Sequence, residues 1–387
     1  MRECQRQGCR VLLITAEKLR SADWPHESLE EIFYLPENLS IADILRSVSH
    51  LARSRRIERI VALDEYDMEI ASSLREHLRV PGMGLTTMRY FRDKLAMRMK
   101  ALERHVPVPD FVPMFNHDDI RYYLERVPGP WVLKPRQEAS AIGIRKISEP
   151  HELWPLLDQL GEKQSQYLLE RFIPGEVFHV DSIVSENEVV FASVSKYGAP
   201  PMSVAHQGGV FTTFTLPTSG ETATRLREIN RQLIAALGLV RGVAHAEFIL
   251  AAGDAHAQAA GEQLYFLECA ARVGGAYINE MVEAATGINL WREWARIEVA
   301  GSDGSYQLPL SQDDCAAVIL TLARQETPDT SGYNDPEILY RLKKRHHAGF
   351  VLRSKDPQRI QDLLGSYAQR FARDFVAVQP PGDKPVD

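Results

Sequence analysis

The stretch FLECAARVGG, Phe266 to Gly275, sets a glutamate and an arginine four residues apart beside two glycines. HAEFIL (245–250) precedes it and holds a second acid inside an apolar run. If the two runs are neighbouring strands, Glu247 and Glu268 can point into one space. Close carboxylates repel and raise each other's pKa unless a cation sits between them. Magnesium suits an all-oxygen site and bridges phosphates, and an arginine such as Arg272 adds a fixed fork of donors beside them. The plainer reading is two surface glutamates with an exposed arginine, but a surface strand alternates more clearly than LYFLECAA does. The stretch therefore points to a cation holding a polyphosphate, and the rest of the chain has to supply the other parts.

WVLKPRQEASAIGIRKI (131–147) ends an apolar strand with Lys134 and continues into a loop of Glu, Ala, Ser and Gly. Small residues let backbone N–H groups approach an anion, and the lysine adds a point charge. Taken alone, a lysine at a strand end is more often merely solvated. The loop is not a P-loop, because GxxxxGK[ST] is absent from the chain. In LLERFIPGEVFHVD (168–181), Glu170 closes an apolar strand, Phe172 and Ile173 precede Pro174 and Gly175, and Glu176 follows. Such a hinge can hold a purine edge-on, with flanking carboxylates in reach of an amine and of ribose hydroxyls. A β-turn between two solvated glutamates would read the same way.

The 387 residues suggest two or three domains. A composition of 44% hydrophobic and 25% charged residues is ordinary for a packed globular chain. The net charge of −7 advertises neither a nucleic-acid nor an anionic-membrane surface. The apolar runs are too short to span a bilayer, and the N-terminus does not read as a signal peptide. The four cysteines, Cys4, Cys9, Cys269 and Cys315, form no CxxC pair or zinc spacing. A reduced, cytoplasmic protein is expected.

VLLIT (11–15) and EIFYLP (31–36) read as strands, 40–56 as an amphipathic helix, IERIVALDEYD (57–67) as a third strand and 68–78 as a helix. That order predicts a parallel α/β layer. No GxGxxG follows its first strand, so a dinucleotide site there is unsupported. A helix is expected over 89–105, then a strand-rich stretch, a helix over 222–238, strands at 243–250 and 264–270, and mostly helix over 278–301. Strands at 315–325 and 349–354 and a closing helix from 356 complete the prediction.

Lysine, small-residue loop, acidic hinge and paired acids in this order resemble the ATP-grasp superfamily, and within it the carboxylate–amine ligases similar to L-amino acid ligases and dipeptide synthetases. The resemblance covers about 90 to 300. It implies a mixed α/β fold with an N-terminal parallel α/β domain, and a nucleotide held between two α+β subdomains. The implied domains are 1–90, a lid subdomain 91–165, a central subdomain 166–304 and a C-terminal β/α subdomain 305–387. DKLAMRMKALERHVPVPDF (93–111) looks like the family's helix with a first nucleotide lysine, Lys94; WVLKP supplies the second, Lys134. EASAIG, with Ser140, Ala141 and Gly143, resembles the lid over the phosphates. ERFIPGE resembles the adenine hinge, with Glu170 near the amine, Arg171, Phe172 and Ile173 along it, and Glu176 on the ribose. Glu247 and Glu268 match the metal ligands, and Arg272 the arginine that holds transferred phosphate or carboxylate. Gly274 and Gly275 would offer backbone donors, and Lys196 and His206 would reach γ-phosphate or substrate. The usual ExNxR pattern here has Ala270 at its asparagine.

What the resemblance implies is a two-step condensation with ATP and Mg2+, Mn2+ being able to substitute. A carboxylate takes the γ-phosphoryl group to give an acyl phosphate and ADP; an amine then displaces phosphate to give an amide. Lys134, Glu268 and Arg272 would carry the catalysis, with no serine, cysteine or histidine nucleophile. The implied partners are a small-molecule carboxylate and amine, an amino acid among them, and homodimers are common in such enzymes. Two alternatives remain at this point: another ATP-grasp chemistry, of carboxylase or purine-pathway type, and a non-catalytic ATP-binding regulator.

Overall fold

Three β-sheets organise the computed structural model, which describes residues 1–139, 142–202, 204, 209–251, 263–301 and 304–377. The first is a parallel pair, β1 (Leu12–Ala16) with β2 (Glu31–Leu35), in register from Leu12 opposite Glu31. Helix Ile41–Leu51 begins in a capping box, with the Ser40 hydroxyl accepting from the Asp43 N–H and the Asp43 carboxylate accepting from the Ser40 N–H. It buries Ile44 and Val48 against Leu74 of helix Met68–Leu78.

The third strand expected over 57–67 is not formed. Its β-branched residues are used for packing without a ladder. Val61 packs on one core cluster, and Ile60 bridges two others. The Ile60 carbonyl accepts from the Arg75 guanidinium at 2.8 Å, and Arg59 donates to the Glu298 carbonyl at 2.8 Å. The segment is thus a strap that ties the N-terminal layer to helix Leu290–Ala300.

The second sheet holds β3 (Phe111–Pro113), β4 (Trp131–Pro135), β5 (Arg145–Ile147) and β6 (Tyr167–Arg171), in the order β3-β6-β4-β5 with every pair antiparallel. Period-two alternation sends Trp131 and Leu133 into a core shared with helices His117–Arg126 and Leu153–Leu160, which leaves Val132 and Lys134 on the opposite face. Lys94 heads helix Lys94–Glu103, capped by the Asp93 carboxylate, and a short helix, Leu85–Arg89, precedes it.

The third sheet adds β7 (Gly175–Ser185), β8 (Glu188–Tyr197), β9 (Phe211–Thr215), β10 (Gly242–Ala251), β11 (Gln263–Ala270), β12 (Cys315–Leu322), β13 (Ile338–Arg341) and β14 (His347–Ser354). Its order is β11-β10-β7-β8-β9-β12-β14-β13, all antiparallel. Helix Glu221–Leu237 closes one core, which includes Leu226, Leu233 and Phe248. The predicted helical stretch 278–301 is two helices, Ile278–Thr286 and Leu290–Ala300, broken where Gly287 adopts φ +76° and the Asn289 side chain caps the second. Helix Pro357–Asp374 covers β12 and β14. Among the described residues no helix is long and apolar enough to cross a membrane.

Strands β6 and β7 are separated by residues 172–174 alone, yet they belong to different sheets. Pro174 cannot donate to a ladder, which ends the pairing there. Gly175 then lets β7 pass close to β10, since a Cβ at that position would lie 2.3 Å from the Leu250 carbonyl oxygen. The link between the two sheets is therefore short and tightly packed, and it sits where the hinge was expected.

Candidate active site

Strands β10 and β11 pair antiparallel, and Glu247 stands opposite Glu268 in register. The pairing runs Glu247 with Glu268 but Phe248 with Phe266, so Leu267 is an extra residue in β11. Strict alternation would have aligned Glu268 with Phe266; the bulge re-aims it to face Glu247. On β10's other side, Glu247 is opposite His179 and His245 is opposite Asp181. The Tyr197 hydroxyl donates to Glu247 Oε1 at 2.7 Å.

Four cation–carboxylate contacts knit the space between the two sheets. Lys134 Nζ donates to Glu170 Oε1, and Arg98 donates to Glu170 Oε2 through Nε at 3.1 Å and Nη2 at 2.9 Å. Lys94 Nζ lies 3.0 Å from Glu268 Oε2 and donates to the Glu138 carbonyl at 2.5 Å. Arg98 is fully buried, and its Nη1 donates to the Leu267 carbonyl at the bulge. Three cations thus face Glu170 and Glu268, with Glu247 opposite Glu268 as a third carboxylate.

Burial shifts these groups in a consistent sense. It pulls the Lys134 ammonium down to about 8, with Arg98 and Lys94 acting the same way and the Glu170 carboxylate opposing. Burial would raise Glu170, but Arg98 and Lys134 outweigh it and hold the acid ionised below its usual range. Burial likewise opposes ionisation of Glu268, and Lys94 foremost overcomes it. Both acids are therefore acceptors only.

The hinge residues surround this cluster. The Phe172 N–H donates to the Pro130 carbonyl at 2.9 Å, and the Lys146 ammonium sits 4.2 Å from the Phe172 ring centroid. Ile173 is buried with Val177 and Tyr265. Arg171 is 3.3 Å from Asp110 and bonds the Tyr265 hydroxyl at 3.4 Å. Glu170, expected beside an adenine amine, spends both carboxylate oxygens on cations. Glu176 accepts from Lys196 at 2.5 Å. Lys196 and Tyr197 are consecutive in β8 and so point to opposite faces, which puts Lys196 with Glu176 and Tyr197 with Glu247.

Arg272 reaches the strap. Its Nε donates to Glu65 Oε2 at 2.9 Å, Nη2 donates to the same oxygen, and Nη1 donates to the Val273 carbonyl at 2.9 Å. Gly274 leaves room for a buried triad: a Cβ there would lie 2.9 Å from His245 Nδ1 and 3.0 Å from Asp181 Oδ1. Gly275 faces open space. Gly143, expected in a lid, adopts φ +71° beside the Pro135 ring. Ser140, Ala141 and His206 lie outside the described residues.

The sequence reading missed Arg98, Glu65, Arg92, Tyr197 and the triad His179–Asp181–His245. Arg98 carried a signal, standing four residues after Lys94 on one helical face. His245 stands two before Glu247, on the same strand face. In the triad, Asp181 bonds His179 Nδ1 at 2.7 Å and His245 Nδ1 at 2.8 Å, and the His179 Nε2 bonds the Thr213 hydroxyl at 2.7 Å. These are hydrogen-bond separations, and the remaining ring nitrogen, His245 Nε2, lies 3.4 Å from the Tyr197 hydroxyl and 3.5 Å from Glu247 Oε1. Burial would lower His245, but Asp181 raises it to about 10.

Two oxygen-only acids in register, flanked by Lys94, are the donor set that magnesium takes. Residues 127–279 match the model of the ATP-grasp domain. The chain is 25% identical over 273 residues to the L-arginine-specific L-amino acid ligase of Bacillus subtilis, a match spanning 69% of this chain and 64% of that protein. It is 25% identical over 188 residues to the D-alanine–D-alanine ligase of Ralstonia pickettii (strain 12J), spanning 47% of this chain and 56% of that one. The chain thus spans less than two thirds of the length of these relatives. Its fold is similar to the crystal structure of L-amino acid ligase from Bacillus licheniformis, with a TM-score of 0.74 at 18% identity, covering 97% of this chain and 94% of the other. Residues 127–279 are an ATP-grasp domain, set in a chain that shares its overall fold with an L-amino acid ligase.

Proposed function

We propose that this protein is an ATP-dependent carboxylate–amine ligase that forms an amide through an acyl phosphate, releasing ADP and phosphate. The observation that carries the reading is the register pairing of Glu247 with Glu268 beside the buried cations Lys94, Arg98 and Lys134. The similarity to amino acid ligases and D-alanine–D-alanine ligases supports it.

Residues 170–176, the link between the two sheets, would hold the base of ATP, and Lys94 and Lys134 would hold its phosphates. Glu247 and Glu268 would hold Mg2+, which would supply positive charge to offset the negative charge on the transferring group. Arg272 orients the substrate carboxylate, whose oxygen attacks the γ-phosphorus as the bond to ADP breaks. The amine nitrogen then attacks the acyl carbon, phosphate leaves with one oxygen of the original carboxylate, and the amine loses a proton. Lys134 and Lys94 offset negative charge through the first step, and positioning supplies most of the remaining rate. The chemistry requires water to be excluded, because acyl phosphates hydrolyse. An amino acid is the proposed carboxylate substrate, and a cytoplasmic location and a homodimer belong to the same reading.

A carboxylate labelled with 18O tests the route. Label appearing in the released phosphate is expected. Unlabelled phosphate, or AMP in place of ADP, would contradict it.

A further inference from the structure

Glu65 belongs to none of the groups given a role above, yet it is buried at 9% exposure between two arginines. Its Oε1 accepts from Arg92 Nη1 at 3.0 Å, and its Oε2 accepts from Arg272 through Nε and Nη2. It sits on the strap 57–67, whose Ile60 carbonyl accepts from Arg75 and whose Arg59 donates to the Glu298 carbonyl. Arg92 is itself fixed, with its guanidinium 4.6 Å from the Tyr66 ring centroid. The carboxylate is therefore held from a segment that is itself hydrogen-bonded to helices Met68–Leu78 and Leu290–Ala300.

The consequence falls on Arg272. A guanidinium has five N–H donors in a planar fork. Here three hydrogen bonds, two to Glu65 and one to the Val273 carbonyl, fix its plane. Two N–H groups remain for an anion, and the side chain's rotamer freedom is already spent before substrate arrives. Arg272 follows Glu268 by four residues, so its fixed fork is anchored to the strand that carries the metal-site acid.

We propose that Glu65 is a positioning residue for Arg272: it locks the guanidinium so that the two remaining N–H groups meet the reacting carboxylate and the transferring phosphoryl group. The proposal rests on the ligase reading for the identity of that anion. It makes the N-terminal layer part of the chemistry through one carboxylate bridging two arginines. Removing the lock frees Arg272 to swing, and a misplacement of about 1 Å at such a group costs about 100-fold in rate.

The test uses the full chain with Glu65→Ala, Glu65→Gln, Arg272→Lys and the Glu65→Ala/Arg272→Lys pair. Thermal unfolding serves as a folding check. Turnover is read as ADP release with Mg-ATP and mixed amino acids. Binding is read by calorimetry with MgADP and fluoroaluminate, a stand-in for the transferring phosphoryl group. Glu65→Ala is expected to lower kcat and weaken fluoroaluminate retention by about 10- to 100-fold, with MgADP affinity unchanged. Glu65→Gln, which keeps the accepting oxygens' positions in part, is expected to recover part of both. In the Arg272→Lys background, Glu65→Ala is expected to cost little more, because its lever is gone.

Additive losses, or a lowered unfolding temperature with both readouts intact, would overturn the positioning role. An active wild type with unaffected Glu65 variants overturns it and leaves the ligase reading standing. A wild type that retains fluoroaluminate in a Glu65-dependent way but turns over no amino acid overturns the ligase reading and leaves Glu65 in place. A wild type that does neither overturns both.

Discussion

Glu247 and Glu268 stand opposite each other on β10 and β11 because Leu267 is an extra residue in β11. Side chains alternate strictly along an ordinary strand, and Glu268 would then share the row of Phe266 and Phe248. The bulge trades one ladder position for a pair of facing acids. Lys94, 3.0 Å from Glu268, keeps that acid ionised against burial.

Glu268→Gln removes the charge of one of the two acids proposed to hold the metal, with little change in volume. It is expected to lower ADP release on the order of 100- to 1,000-fold while unfolding stays cooperative. Steady-state rates across a magnesium titration check this. Full activity at low magnesium would remove the acid from the metal site.

Glu170 satisfies Lys134 and Arg98, all three buried. Glu170→Ala strands both cations, so it is expected to destabilise the protein by about 3–5 kcal/mol. Urea unfolding measures it, and a cost under about 1 kcal/mol would mean that water reaches the cluster.

Burial brings Lys134 from 10.5 to about 8. Between those two values the unfolded chain binds the extra proton, so this group makes the unfolding free energy rise with pH across that window. Nucleotide binding has the opposite sign, because phosphates favour the ammonium. Mg-ATP affinity is expected to fall by up to about tenfold per pH unit above about 8, with proton uptake on binding. Lys134→Arg, charged throughout, is expected to flatten that profile. Calorimetry in buffers of different ionisation enthalpy checks it, and a flat wild-type profile would contradict it.

Gly274 and Gly275 are adjacent but unequal. Gly274→Ala must push apart the His245–Asp181 hydrogen bond, and is expected to cost about 1–3 kcal/mol together with activity. Gly275→Ala enters open space and is expected to leave stability unchanged. Thermal unfolding of the two variants side by side separates them.

The local signals explain which parts were readable from sequence. An apolar run ending in a lysine gave β4, apolar runs that each hold one acid gave β10 and β11, and Pro174 with Gly175 marked the link between sheets. The IERIVAL segment failed because β-branched composition says nothing about whether a ladder partner exists; packing and two arginines took its backbone. The bulge at Leu267 is a property of two strands together, invisible in either one. Arg98 meets Glu170 from 72 positions away, and Arg272 meets Glu65 from 207. Such contacts are set by tertiary packing, so the acids and lysines were legible as types while their partners were not.

The most direct test of the account incubates the protein with Mg-ATP and paired amino acids, following ADP and phosphate and weighing the products. The account requires ADP release that depends on a particular pair, with a new mass equal to the two substrates minus water. Nucleotide binding with no carboxylate able to accelerate ADP release, or release of AMP, would contradict it.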